Sequence, residues 1–251
     1  MDTYTYLLIT LLLLMPWLLI YGLKASVRKK MIKASIMGGL SGLIAEYWYF
    51  KDYWQPPTIL GQSVISVEDF LFGFTITGIA VSIYEVAFAK NYQATHKNRR
   101  RQFGYMFLCG VLCMMVFNVM LGINSIIVSC IAFLVFTAVM LCFRSDLLKQ
   151  SLLSGILTLC IIVPVYTFLF DFLNPGYWAA HWLLAKTQLG ITVLGNIPVT
   201  ELVWYFSWGC FAGTAHSFAS GKAVIQLRVV KGYQMPDFKV LNTTIIIKDN
   251  V

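Results

Sequence analysis

Seven runs of mostly apolar residues, at about 4–22, 34–50, 67–89, 103–121, 124–143, 151–172 and 198–219, divide the chain. Each approaches the roughly 20 residues that a helix needs to cross a bilayer, and the connectors leave little room for a separate soluble unit. The pattern predicts an all-α fold: a polytopic membrane helical bundle of about seven transmembrane helices over residues 1–219, followed by a tail over 220–251. The first run, "YLLITLLLLMPWLLIYGL", is longer than the apolar region of a signal peptide. It also lacks a basic start and a small-residue cleavage site, so it reads as a mature span, although an uncleaved signal anchor has the same pattern. In the tail, "KAVIQLRVV" and "TTIIIK" alternate apolar positions, which predicts short strands.

Composition supports the membrane assignment: 59% of residues are hydrophobic and 12% charged, against about 25% charged in ordinary soluble domains. The net charge of +8 is distributed unevenly. With seven spans, all but Lys51 and Lys186 of the 19 lysines and arginines fall on one side. Basic loops are retained on the cytoplasmic side, so the expected orientation in the plasma (inner) membrane has the N-terminus outside and the tail cytoplasmic. There Asn242, which opens an N-x-T pattern, would escape glycosylation. Topology and anionic lipid account for the basic loops, and no nucleic acid is needed as a partner. All six cysteines lie in expected spans. Cys109 and Cys113 share a helix face, but without a second ligand pair they suit packing better than metal. No P-loop, dinucleotide fingerprint or hydrolase elbow is present, so no cofactor is expected.

The chain also matches itself. Residues 54–74, "WQPPTILGQSVISVEDFLFGF", share an order of features with 178–206, "WAAHWLLAKTQLGITVLGNIPVTELVWYF": a Trp, a loop, a Gly, then Ile-x-Val, an acid and an aromatic run. In register, Ile65, Val67 and Phe74 fall on Ile197, Val199 and Phe206, Glu68 on Thr200, and Asp69 on Glu201. The copies open spans that run the same way, as in parallel repeats, and place repeat units at about 34–121 and 151–219.

Six acids, Glu46, Asp52, Glu68, Asp69, Asp171 and Glu201, gather in the outer half of four helices. An ionisable group at membrane depth costs about 2.5 kcal/mol or more and marks a functional site by default. Asp52 and Asp171 sit at span ends and read as interfacial or capping groups. Glu68 and Glu201, on matching first turns, are the stronger candidates. Glu85 and His216 belong near the opposite end and could form a structural pair, whereas His181 lies in an outer loop that could face the acids or water. Around the acids stand Trp54, Phe72, Trp204, Tyr205 and further aromatics. An apolar pocket keeps a carboxyl protonated, ready to act as a general acid, and aromatic faces attract cations. A plain interfacial aromatic belt is the competing account, especially for residues 47–54.

"ISVEDFLFGF", "NIPVTELVWYF" and the flanking "YWQPPTILG" resemble the paired Pro-x-Glu-Glu/Asp-type segments of the lycopene cyclase domain family. These are small carotenoid cyclases of heterodimeric or fused-repeat membrane type, built from two parallel three-span units plus one extra helix. The resemblance covers roughly 45–80 and 170–210. It implies carotenoid biosynthesis by an intramolecular lyase or isomerase: redox-neutral, acid-catalysed cyclisation of a linear carotenoid or other isoprenoid. It gives Glu68, Asp69 and Glu201, with Glu46 nearby, the catalytic places, Glu68 as leading proton donor. Phe72, Trp204, Tyr205, Trp54 and Pro198 become the substrate-binding candidates. Ser66 replaces the usual first proline and Thr200 the usual first acid of the second copy, which leaves room for a different substrate.

Two other classes fit the sequence. A noncatalytic scaffold or lipid-binding protein of the same fold would use Gly38 and Gly42 for close helix contacts, within the chain or in a homo-oligomer. A small ion- or proton-coupled transporter would need a polar path, yet spans 1, 4, 5 and 6 offer little beyond Thr10, Asn118, Ser129, Thr137 and Thr158. No lysine lies within a span to form a retinal Schiff base.

Overall fold

The computed structural model describes residues 2–224. Among them, the long apolar runs form helices α1 (Asp2–Leu23), α2 (Ala25–Asp52), α3 (Val67–Ala87), α4 (Arg100–Cys113), α5 (Ser125–Phe143), α6 (Leu148–Thr167) and α8 (Val199–Ser220), with a short α7 (Tyr177–His181) in the loop before α8. π-Helical turns extend α4 over Met114–Met120 and α6 over Phe168–Leu173. The second follows α6, which carries Pro164 inside it. Five segments, Asp2–Leu23, Val67–Ala87, Arg100–Met120, Ser125–Phe143 and Ser145–Leu173, are long and apolar enough to cross a membrane. α2 and α8 have comparable lengths of 28 and 22 residues but carry more polar positions. α2 begins nine residues before the expected span, because the basic stretch from Ala25 to Lys33 is already helical.

Packing follows a doubled pattern. α2 lies on α3 and α6 on α8, α1 rests on α3 and α5 on α8, and α3 and α8 meet at the centre. This sets α1–α3 against α5, α6 and α8, with α4 resting on α8 and α5.

Glycines permit the two close pairs. A Cβ on Gly38 would lie 2.1 Å from Thr77 Oγ1 and 2.5 Å from the Gly73 carbonyl oxygen, and one on Gly42 would lie 2.7 Å from the Asp69 carbonyl oxygen. In the other pair a Cβ on Gly209 would come 2.8 Å from Gly155 Cα. The small-residue spacing at Gly38 and Gly42 is therefore occupied by α3 of the same chain.

α4 buries no residue along Arg100–Cys113 and turns Tyr105, Phe107, Leu108 and Leu112 outward, as a face toward hydrocarbon would. Two strands, β1 (Tyr92–Ala94) and β4 (Lys222–Val224), pair antiparallel at the basic end of the bundle. The expected strand in the tail thus begins as read, while "TTIIIK", the rest of the tail and Asn242 lie outside the described residues. At the opposite end, β2 (Thr192–Val193) pairs with β3 (Ile197–Pro198), just before α8.

Candidate active site

The two matched segments meet in space. Trp54 and Trp178 stack with ring centroids 5.8 Å apart. Their loops are laced together by Gln55 N donating to the His181 carbonyl and Leu183 N donating to the Tyr53 carbonyl, both at 2.9 Å. The starts of α3 and α8 lie beneath this seam, and a cavity of ≈ 790 Å³ opens between α2, α3, α4, α5 and α8. Glu46, Asp69 and Glu201 all line it, together with Tyr6, Tyr49, Tyr53, Trp54, Phe72 and Trp204.

Each acid is held differently. Glu201, 7% exposed, accepts hydrogen bonds from Tyr53 Oη at 2.6 Å on Oε1 and from Tyr166 Oη at 2.9 Å on Oε2. The Tyr166 and Tyr205 hydroxyls are themselves 2.5 Å apart. Asp69 closes a capping box at the start of α3: its Oδ2 accepts from Ser66 N at 2.7 Å and Ser66 Oγ at 2.8 Å, and Asp69 N donates back to Ser66 Oγ at 3.2 Å. Such a box satisfies amides that a helix start leaves open. Asp69 Oδ1 accepts from Tyr6 Oη at 2.7 Å. Glu46, 5% exposed, has the Trp54 indole as neighbour, and its Oε1 has no hydrogen-bond partner.

Glu68 is fully buried but does not line this cavity. Its Oε1 accepts from Ile59 N at 2.8 Å, which ties the preceding loop to α3, and its Oε2 has no partner. Among the described residues none of these four acids is in an ion pair. Their neighbours are phenols, an indole, a hydroxyl and amides.

The aromatic wall is continuous. Phe72 lies 6.2 Å from both Trp204 and Tyr205, Tyr6 lies 4.7 Å from Trp54, and Trp204 Nε1 donates to Tyr49 Oη at 2.8 Å. Phe72, Trp54 and Trp204 therefore line the cavity, whereas Tyr205 stands behind it, bonded to Tyr166. Pro198 is buried in the small hairpin and caps α8 without a side-chain bond.

The remaining acids have structural roles. Asp52 accepts from Ser125 N and Oγ and from the Asn118 amide, so it caps α5. Asp171 accepts from Asn196 N at 2.9 Å. Glu85 pairs with Lys30 at 2.5 Å and not with His216, because α2 lies against α3 and delivers a lysine first. His181 stands 3.6 Å from Asp2, away from the acids that line the cavity. The phenols of Tyr6 and Tyr166 are the site residues that sequence reasoning missed. Their signal was faint: polar-tipped aromatics in spans 1 and 6, at the depth of the acids.

The family profile described as lycopene cyclase matches this chain over residues 3–87 and 124–219. The chain belongs to the lycopene cyclase family. Those segments contain every acid of the site and both Trp loops, and they omit α4 and β1. No curated protein and no solved structure matches the chain.

Proposed function

We propose that this lycopene cyclase family member cyclises a linear carotenoid or related isoprenoid without net redox change, starting the reaction with a proton from a buried carboxyl. The observation that carries the reading is the convergence of Glu46, Asp69 and Glu201 on one apolar, aromatic-walled cavity. Its ≈ 790 Å³ fall within the usual range for ligand sites.

The roles follow from how each acid is held. Glu46 presents an oxygen without a partner, and an unsatisfied buried polar atom costs roughly 1–3 kcal/mol. A protonated Glu46 is therefore the donor: its proton adds to one carbon of the terminal double bond and leaves a tertiary cation on the other. The π electrons of an inner double bond close the ring, and the cation moves to a ring carbon. Loss of an adjacent proton to a carboxylate restores a double bond, so the product is an isomer of the substrate. Glu201, fixed by two phenols, stabilises the cation and takes that proton. Phe72 and Trp204 present faces that favour positive charge in a water-poor site. Asp69, engaged in the capping box, positions the start of α3, and Glu68 anchors the loop over the site. The substrate enters from the bilayer, whose cytoplasmic side is the one that carries the basic loops.

Expression in a bacterium that accumulates lycopene tests this, with liquid chromatography and mass spectrometry of the pigments. The expected result is a cyclised product of unchanged mass, absent in Glu46→Gln and Glu201→Gln and present in Glu68→Gln. Product that survives Glu201→Gln would overturn the assignment, and folded protein that leaves lycopene and other linear polyenes intact would favour the scaffold.

A further inference from the structure

The aromatic cavity does not end in lipid-like surroundings. At the end of the bundle remote from Glu46 and Glu201 it reaches Lys30, Lys33, Arg100 and His216, and the same four residues line a second cavity of ≈ 470 Å³. Among the described residues Lys29, Lys90 and Lys222 add to the basic lining of that second space, and Glu85 is its one acid. Glu85 is already paired with Lys30. Among the described residues the side chains of Lys29, Lys33 and Arg100 have no hydrogen-bond or ion-pair partner, and His216 Nε2 is buried without one.

The cluster is built by tertiary structure. β1 pairs with β4 to bring Tyr92 and Lys222 against α2, and Lys24 Nζ donates to the carbonyls of Glu85 and Lys90, fixing the turn after α3. Arg144, 3% exposed, donates at 2.9 Å to the Lys222 carbonyl and holds β4 in place. Gathering like charges in a concave, partly dry space is costly unless an anion shares it. Flexible ammonium groups and a guanidinium suit a phosphate.

From Glu201 to His216 along α8 is about 22 Å at 1.5 Å per residue, so an occupant would have an anionic head at one end and an apolar chain reaching the acids at the other. We propose that the basic cavity holds the phosphate-bearing head of an amphiphile whose chain lies in the aromatic cavity. The proposal rests on the cyclase reading for the chain that lies against the acids, and it adds phosphate-headed amphiphiles to the neutral linear polyenes that the aromatic cavity takes.

Native mass spectrometry on the full chain in detergent tests this with four probes: geranylgeranyl diphosphate, the neutral alcohol geranylgeraniol, inorganic diphosphate and phosphatidylglycerol. The diphosphate amphiphile is expected to bind at least about tenfold more tightly than the alcohol and than inorganic diphosphate, with the preference falling as salt rises. Lys33→Gln combined with Arg100→Gln removes the preference, and Arg100→Lys keeps most of it. Phosphatidylglycerol displacing the prenyl probe would assign the head site to a bilayer lipid, and its failure to do so would assign it to a prenyl diphosphate; both support the phosphate-amphiphile site. Equal binding of alcohol and diphosphate, or inorganic diphosphate competing as well as the amphiphile, would overturn it.

The cyclase reading is read separately, from product mass. Lycopene cyclised by a protein that ignores the head group leaves the cyclase reading intact and removes this one. Head-group binding without any cyclised product does the reverse.

Discussion

α3 and α8 start with the same order of features, a valine, an acid and an aromatic run, and hold their acids differently. At the start of α3, Ser66 precedes Val67 and closes a box with Asp69. At the start of α8 the residue in the same register is Pro198, which offers no side-chain cap, and the Val199 amide instead donates to the Ile191 carbonyl of the hairpin at 2.9 Å. One oxygen of Asp69 therefore turns back onto its own helix start and the other meets the Tyr6 phenol, while both oxygens of Glu201 meet phenols, Tyr53 just after α2 and Tyr166 on α6. A difference at the capping position separates an acid that closes a capping box from one that takes no part in capping.

The sharpest break of that comparison is Glu201→Gln. It is expected to lower product formation by about 10²–10⁴, the usual worth of acid–base groups, with helical content retained by circular dichroism. Asp69→Asn should instead act mainly on the midpoint of thermal unfolding.

The helix pairs beneath the two acids can be compared next. Gly38→Ala places a Cβ against Thr77 and the Gly73 carbonyl at less than van der Waals distance, and overpacking of that kind costs roughly 1–3 kcal/mol. Gly209→Ala meets its neighbours at 2.8 Å or more, so thermal unfolding in detergent should rank Gly38→Ala as the more damaging.

Ser66→Ala removes only the capping hydroxyl and should destabilise by about 0.5–2 kcal/mol, with the mass-detected product retained. A loss of product as large as that of Glu201→Gln would mean that the two helix starts are chemically equivalent after all. The smallest effect is expected for Glu68→Gln, since its Oε1 meets a loop amide and neither oxygen faces the cavity. The pigment profile should stay near that of the unchanged protein.

Much of the fold was legible in the sequence because lipid imposes a strong rule: each span must be a long apolar helix that satisfies its own backbone. The runs at 67–89, 124–143 and 198–219 became α3, α5 and α8 within a few residues, and the two acids that the repeat aligns, Asp69 and Glu201, both line the cavity. The phenols of Tyr6 and Tyr166 were less visible, since a tyrosine in a span reads as apolar until a neighbouring helix brings it a carboxyl. Glu68 and Asp69 are adjacent on one helix and identical in hydropathy terms. Only the loop at Ile59 and the cap at Ser66 decide which way each points.

By itself the sequence determined the helical, membrane-type architecture, the doubling of an acid-headed helix and the family's signature segments, because each of these is written in local periodicity or composition. Tertiary structure alone decided that Glu46 joins Glu201 at one cavity, that Glu68 stays outside it, and that Lys30, Lys33, Arg100 and His216 form a shared boundary with a basic chamber. Those outcomes depend on how helices far apart in the chain rotate against one another, and glycine contacts such as Gly38 on Gly73 set that rotation through close packing.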